Sequence, residues 1–273
     1  MRADHALRGP ERGRLVRVVD LLAELDALRS MARATVRLNW TFPELLDGEA
    51  FLLEGEDLWH PFIEGPVKNP IKLTREEPVV FLTGPNMAGK TTYLRSAALA
   101  VLLAQAGMGV PARRLRLIPV EALITSLNPS DNLRAGMSYF LSEVLRVQVA
   151  AAALAEGKRA FVLFDEVFKG TNVSDALEAS AEVISGFSTA KRSGFLFSSH
   201  IVELEAELQS NPKIRFEYFE GRLVEGRAEY SYRLRPGISD LRLGLQLLRE
   251  AGIPQLIARI EAEAGGGTSP SAG

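Results

Sequence analysis

Gly84-Pro85-Asn86-Met87-Ala88-Gly89-Lys90-Thr91-Thr92 decides the reading of this chain. An apolar run, Val79-Val80-Phe81-Leu82, precedes it, and an Ala/Leu-rich segment from Tyr93 to Ala106 follows. The order strand, glycine loop, helix and the spacing Gly, four residues, Gly-Lys-Thr fit the P-loop pattern. In such a loop the backbone N–H groups and the positive end of the following helix cradle phosphate oxygens. Lys90 supplies a point charge for terminal phosphates, and the Thr91 hydroxyl is a ligand for Mg²⁺. The alternative is a glycine turn between a strand and a helix with no ligand.

Working outward, two further apolar runs end on polar groups. Ala160-Phe161-Val162-Leu163-Phe164 leads into Asp165-Glu166, and Gly194-Phe195-Leu196-Phe197-Ser198 leads into Ser199-His200. Wholly apolar strands belong in a parallel sheet covered on both faces. Their alternation with helical segments predicts an α/β, doubly wound domain with a mostly parallel sheet flanked by helices. Ligands in such sheets sit at the carboxyl ends of strands, where all three polar features fall. Beside a P-loop, Asp165 is placed to hold Mg²⁺ and Glu166 to polarise an attacking water; alone, the pair reads equally well as an acidic helix-capping turn. His200 is a candidate for a γ-phosphate contact, or a solvent-facing neighbour of a helix capped by Ser198-Ser199. Ser138 opens a helix running to Ala155. It reads first as an N-cap, and second as part of a helix terminus that binds a phosphate across a dimer interface.

Leu15, Val18, Val19, Leu22, Leu25 and Leu28 recur at helical spacing, predicting one amphipathic helix over Leu15–Leu38. It either packs on the domain or ends a longer helical arm. Residues 1–14 read as a disordered lead-in. Phe51-Leu52-Leu53 is a candidate short strand, and Asn69-Pro70-Ile71-Lys72-Leu73 an irregular or edge strand, because proline blocks a central one. Ile118–Leu127 reads as a strand or extended segment. Ile214–Glu220 and Leu223–Arg235 read as antiparallel strands turning at Glu220-Gly221. Leu241–Arg249 and Ile253–Ala262 read as two short helices split by Gly252, before a Gly/Ser-rich tail.

Composition closes off several classes. With no cysteine, disulfide scaffolds, thiolate zinc sites and cysteine nucleophiles are out, which suits a reducing cytoplasm. Three histidines leave little for a histidine-rich metal centre. A net charge of -2 carries no overall nucleic-acid footprint. No apolar run reaches membrane-span length, so no membrane role is expected. Arg113, Arg114 and Arg116 read first as a solvated turn and second as a phosphate-contacting patch.

Together these motifs carry a resemblance. Thr83 to Arg95, with Pro85-Asn86-Met87 filling the variable positions, is similar to the signature of the MutS DNA mismatch-repair ATPases. Asn39-Trp40-Thr41-Phe42-Pro43 and His60-Pro61 resemble the family's segment between helical core and ATPase domain. Asp131-Asn132-Leu133 with Gly136-Met137-Ser138 resembles the loop that reaches the nucleotide of the opposite subunit. Asp165-Glu166 with Gly170-Thr171 resembles the Walker B block, and Ser199-His200 the histidine switch. The resemblance covers residues 15–262.

What it implies is a P-loop NTPase of ABC-like type, with an N-terminal helix and a C-terminal helix-turn-helix. The cofactors would be ATP and Mg²⁺, with residues 84–92 and Ser138 on the nucleotide, Thr91 and Asp165 on the metal, and Lys90, Glu166 and His200 in catalysis. It implies a homodimer with composite sites, and DNA as a partner only with additional domains. The implied division is 15–60 for the end of the helical core and connector, 61–238 for the ATPase domain, 239–262 for dimerisation helices and 263–273 for a tail. Absent from these residues are the family's mismatch-reading domain, connector, levers and clamp, so a fragment or a minimal ATPase relative is expected. Departures point to a divergent branch: Val167-Phe168-Lys169 where Ile-Gly-Arg is usual, Met137 and Tyr139 in the second signature, Ile201-Val202 after the histidine, and Pro66 where many members stack a Phe on adenine. The competing readings are a non-hydrolysing nucleotide-dependent dimerisation module and a DNA-tethering ATPase of the wider ABC type, which lacks its Leu-Ser-Gly-Gly-Gln signature here.

Overall fold

Alternation along the strands organises the molecule. A computed structural model describes residues 12–85, 87–127, 139–199, 202–224, 227–239 and 251–265. Within them, β4 (Val79–Thr83), β7 (Ala160–Asp165) and β8 (Gly194–Ser198) are buried at every position. They lie in a six-stranded sheet with β6 (Ala122–Ser126), β9 (Ile214–Val224) and β10 (Arg227–Pro236), in the order β10-β9-β4-β8-β7-β6. All neighbours are parallel except β9 and β10. Side chains two apart share a face, which sorts the core into two halves. Val80, Leu82, Phe161, Leu163 and Leu196 point to one side, Val79, Phe81, Val162, Phe164, Phe195 and Phe197 to the other.

The first half packs on α2 (Lys90–Gln105) through Leu94, Ala97, Val101 and Ala104. Beyond α2 lies a second sheet of β1 (Glu44–Leu45), β2 (Leu53–Leu58), β3 (Asn69–Leu73) and β5 (Arg114–Leu117), ordered β1-β5-β2-β3. Phe51, Leu53, Ile71 and Leu115 close the core from that side. The helix after the glycine loop is thus held between two sheets. On the opposite face lie α3 (Tyr139–Ala155), α4 (Val173–Phe187) and α5 (Val202–Leu208), through Ala150, Ile184, Phe187, Leu204 and Leu208. The α/β architecture expected from the apolar runs is present, and Pro70 sits on an edge strand as its missing N–H requires.

Three local expectations change. Within the segment 118–127 only Ala122–Ser126 forms a strand. Pro119 separates β5 from β6, and the Gln105 side chain satisfies both backbone groups of Val120, at 3.1 and 2.7 Å. The β9–β10 turn does not fall at Glu220-Gly221: β9 runs on to Val224, because Gly221 pairs across the ladder with Tyr230. The last helix, α6 (Ile253–Gly265), continues past Ala262; Leu241–Arg249 lies outside the described residues.

The N-terminal helix, α1, spans Arg12–Arg37. Thr35 is its one buried residue, accepting the Gly109 N–H at 3.1 Å. Leu15, Val18, Val19, Leu22, Leu25 and Leu28 are exposed, so its apolar stripe does not contribute to this core. Among the described residues no helix is long and apolar enough to cross a membrane.

The two apolar populations should respond differently to truncation. Leu163→Ala, at a fully buried site, is expected to cost about 2–5 kcal/mol. Leu22→Ala, 60% exposed, is expected to stay within about 0.5 kcal/mol of wild type. Denaturant unfolding of both variants checks the contrast.

Candidate functional site

Three adjacent strands of the large sheet, β4, β8 and β7, deliver the site at their carboxyl ends. After β4 the chain enters the glycine loop with Gly84 at φ 119° and Gly89 at φ 110°, values that L side chains rarely adopt. At Gly84 a Cβ would also lie 3.1 Å from the Phe219 carbonyl oxygen, so both conformation and space select glycine. Gly89 is the N-cap of α2, and no side chain caps the helix there. The first turn therefore directs its N–H groups into the loop, the arrangement that favours an anion. Ala88 is fully buried, Met87 stands out at φ 71°, and Pro85 and Thr92 are partly exposed.

Lys90 is 5% exposed, and its ammonium donates to the carbonyls of Gly84 (2.6 Å) and Pro85 (3.2 Å). Burial lowers its pKa; Glu166 and Asp165 oppose that shift, and the like charge of Lys169 adds to it. Thr91 donates its hydroxyl to Asp165 Oδ2 at 2.5 Å. Asp165, itself buried, receives the Ser198 hydroxyl on its other oxygen. Ser198 lies opposite Asp165 in the β7–β8 ladder, and the Glu166 N–H continues that pairing to the Ser198 carbonyl at 2.9 Å. Glu166 leaves the strand at φ 54°, and its carboxylate pairs with the Lys169 ammonium.

Lys90, Thr91, Asp165, Glu166 and Lys169 line one cavity of about 650 Å³. Its walls divide by chemistry. Lys90, Thr91, Asp165, Glu166 and Lys169 form a charged part; Leu58, Trp59, Ile63, Pro66 and Val67 form an apolar part. Pro66 therefore lines the cavity without offering an aromatic ring. The Lys68 ammonium sits 4.7 Å from the Trp59 ring centre. His60 also lines the cavity, and burial first, then the Arg95 charge, lower its pKa.

The structure thus brings together Gly89, Lys90, Thr91, Thr92, Asp165 and Glu166 on one wall system, with Gly84 contacting Lys90 from beneath. Asn86, Ser138 and His200 lie outside the described residues. Among the described residues no cluster of three or more His, Asp or Glu side chains is shaped for a metal. What is present is one hydroxyl and one carboxylate in contact, a donor set suited to Mg²⁺, which keeps most of its waters.

Sequence reasoning missed two contributors. From the sequence Ser198 offers only an alternative helix cap; its contact with Asp165 follows from strand register, which the sequence does not print. Tyr232 was not singled out at all. It sits at φ 55° in the β10 bulge, lines the cavity, and has its carbonyl held by the Asn69 side chain at 2.9 Å, while Asn69 also accepts the Leu234 N–H at 2.8 Å.

A family model described as MutS domain V matches residues 80–264, more than half of the chain. The chain belongs to the MutS family. It is 32% identical over 257 residues to the DNA mismatch repair protein MutS of Oleidesulfovibrio alaskensis, covering 91% of this chain and 28% of that protein. To the protein of the same name from Cereibacter sphaeroides it is 35% identical over 252 residues, 89% of this chain and 28% of the relative. For Roseiflexus sp. strain RS-1 the figures are 31%, 258 residues, 92% and 23%. The chain spans about a quarter of the length of these MutS relatives. The family match includes the glycine loop, the Asp165 strand end and the β9–β10 ribbon carrying Tyr232.

Ser198→Ala removes one of two hydroxyl donors to the buried Asp165 carboxylate. It is expected to lower stability by about 1.5–3 kcal/mol, the range for hydrogen bonds to charged groups. Chemical denaturation measures this; an unchanged midpoint would mean that solvent replaces the hydroxyl.

Proposed function

We propose that this chain is the Mg²⁺-dependent ATPase domain of a MutS-like protein, a P-loop NTPase of ABC-like type. The observation that carries the reading is the convergence of Lys90, Thr91, Asp165 and Glu166 on one cavity beside an uncapped helix N-terminus. Residues 84–92 would hold the phosphates of ATP, with Lys90 already aimed across the loop. Thr91 and Asp165 would hold Mg²⁺, which neutralises phosphate charge when bound. Glu166 orients a water and takes its proton. The apolar part of the cavity suits a nucleotide base, and Tyr232 lines the same cavity with its ring beside Gly89.

The remaining assignments rest on the resemblance. His200 would sense the γ-phosphate, and Ser138 would reach the nucleotide of a second copy, making the sites composite in a homodimer. Residues 15–60 would end a helical core, 61–238 form the ATPase domain and 239–262 its dimerisation helices. ATP-driven association of two such domains would serve DNA mismatch repair or a related DNA transaction, with DNA engaged through additional domains, in the cytoplasm. A second reading is a nucleotide-dependent dimerisation module without hydrolysis. It draws support from the Lys169–Glu166 ion pair, which engages the proposed base.

A phosphate-release assay at high protein concentration separates the two. Wild type is expected to hydrolyse ATP only with Mg²⁺, and Glu166→Gln to lose about 10²–10⁴-fold in kcat while still binding ATP. Equal rates for wild type and variant would remove the enzyme reading and leave the dimerisation module.

A further inference from the structure

Lys169 lines the same cavity as Lys90 and Glu166 but has no part in the assignments above. Its backbone is fixed from below. Phe168 beside it is 4% exposed, adopts φ 61° and places its ring 6.0 Å from that of Phe140. Glu143 of α3, 2% exposed, accepts the N–H groups of Lys169 and Gly170, the latter at 3.3 Å. Left-handed conformations at Glu166 and Phe168 are strained and persist only where the surroundings over-determine them. The loop 166–170 is therefore held in one shape, and that shape turns the Lys169 side chain toward the cavity. The side chain itself remains 49% exposed, against 15% for Glu166. Rigid backbone under a half-exposed, four-carbon ammonium stem is the arrangement of a charge that can change partners.

Two ammonium groups face this volume. Lys169 lies close enough for its charge to act on Lys90. Glu166 and Asp165 both act on Lys90, Lys169 pairs with Glu166, and Glu64 adds a third carboxylate to the lining. A polyphosphate entering the cavity would add negative charge between the cations and compete with Glu166 for Lys169. On the nucleotide-site reading proposed above, we infer that Lys169 is a phosphate-binding residue that exchanges between the Glu166 carboxylate and the terminal phosphate of a nucleoside triphosphate. The exchange leaves the Glu166 carboxylate to accept a hydrogen bond from water. A nucleoside diphosphate lacks the terminal group, so Lys169 remains with Glu166. The residue thereby discriminates triphosphate from diphosphate and couples that discrimination to the proposed base.

Calorimetric titration with Mg²⁺ and either AMP-PNP or ADP tests this on wild type, Lys169→Ala, Lys169→Gln and Lys169→Arg. Loss of the ammonium in the Ala and Gln variants is expected to weaken AMP-PNP about tenfold, the size of one charge-assisted contact, and to leave ADP within about twofold of wild type. Lys169→Arg should restore most of the AMP-PNP affinity, because it retains the charge. If the Ala and Gln variants bind both nucleotides like wild type, or lose both in parallel with wild type binding intact, the inference fails while the nucleotide site stands. If wild type binds neither nucleotide, the site reading fails and the inference with it.

Discussion

The carboxylate of Asp165 is the point on which the rest of the site depends. A buried carboxylate is costly unless its oxygens are satisfied. Here Thr91 serves one oxygen and Ser198 the other. Those hydroxyls belong to the first turn of α2 and to the end of β8, while Asp165 ends β7. One side chain therefore fixes the helix after the glycine loop against two strand ends. The contact exists because β7 and β8 are in a register that sets Asp165 opposite Ser198. A shift of one residue would send the carboxylate to the other face of the sheet.

The sheet makes that register firm. Alternate residues of β4, β7 and β8 fill two separate core layers, both closed to solvent. Slippage would exchange the layers. The layer on the α2 side is closed both by the helix and by residues of the smaller sheet and its flank, Phe51 lying directly against Phe161. Lys90 and Thr91 consequently sit on an element that cannot rock freely, whereas Met87 and Lys169 sit on loops above it. A rigid frame with strained, partly exposed loops is what a site needs to hold a ligand and still exchange charge contacts.

Much of this was legible in the sequence. The apolar runs at 79–82, 160–164 and 194–198 are too uniform for half-exposed strands, and each ends in a polar group, which is enough to infer a buried parallel sheet with a site at its edge. The glycine loop was legible because Gly84 and Gly89 meet a backbone requirement that few other residues can. Strand pairing was not legible. The role of Ser198 depends on which strand lies beside β7, and the position of Tyr232 on a bulge that no turn residue announces. Gly221 has the look of a turn residue in the sequence, yet it occupies an ordinary ladder position across from Tyr230, and the β9–β10 turn lies further on. In α1 the apolar spacing correctly gave a helix, but periodicity says only that a face exists. Its stripe stays outside this core.

Membership of the MutS family rests on a match that spans the glycine loop and the acidic strand end together. Beyond that membership stands the proposal that these residues form a Mg²⁺-nucleotide site. Titration of ATP into the protein, with Mg²⁺ and then with EDTA, tests that most directly when Lys90→Ala is run beside wild type. Saturable binding of one ATP per chain is expected, weakened at least about tenfold by EDTA and lost in Lys90→Ala at unchanged melting temperature. Binding of equal strength in the variant, or indifference to Mg²⁺, would contradict the proposal.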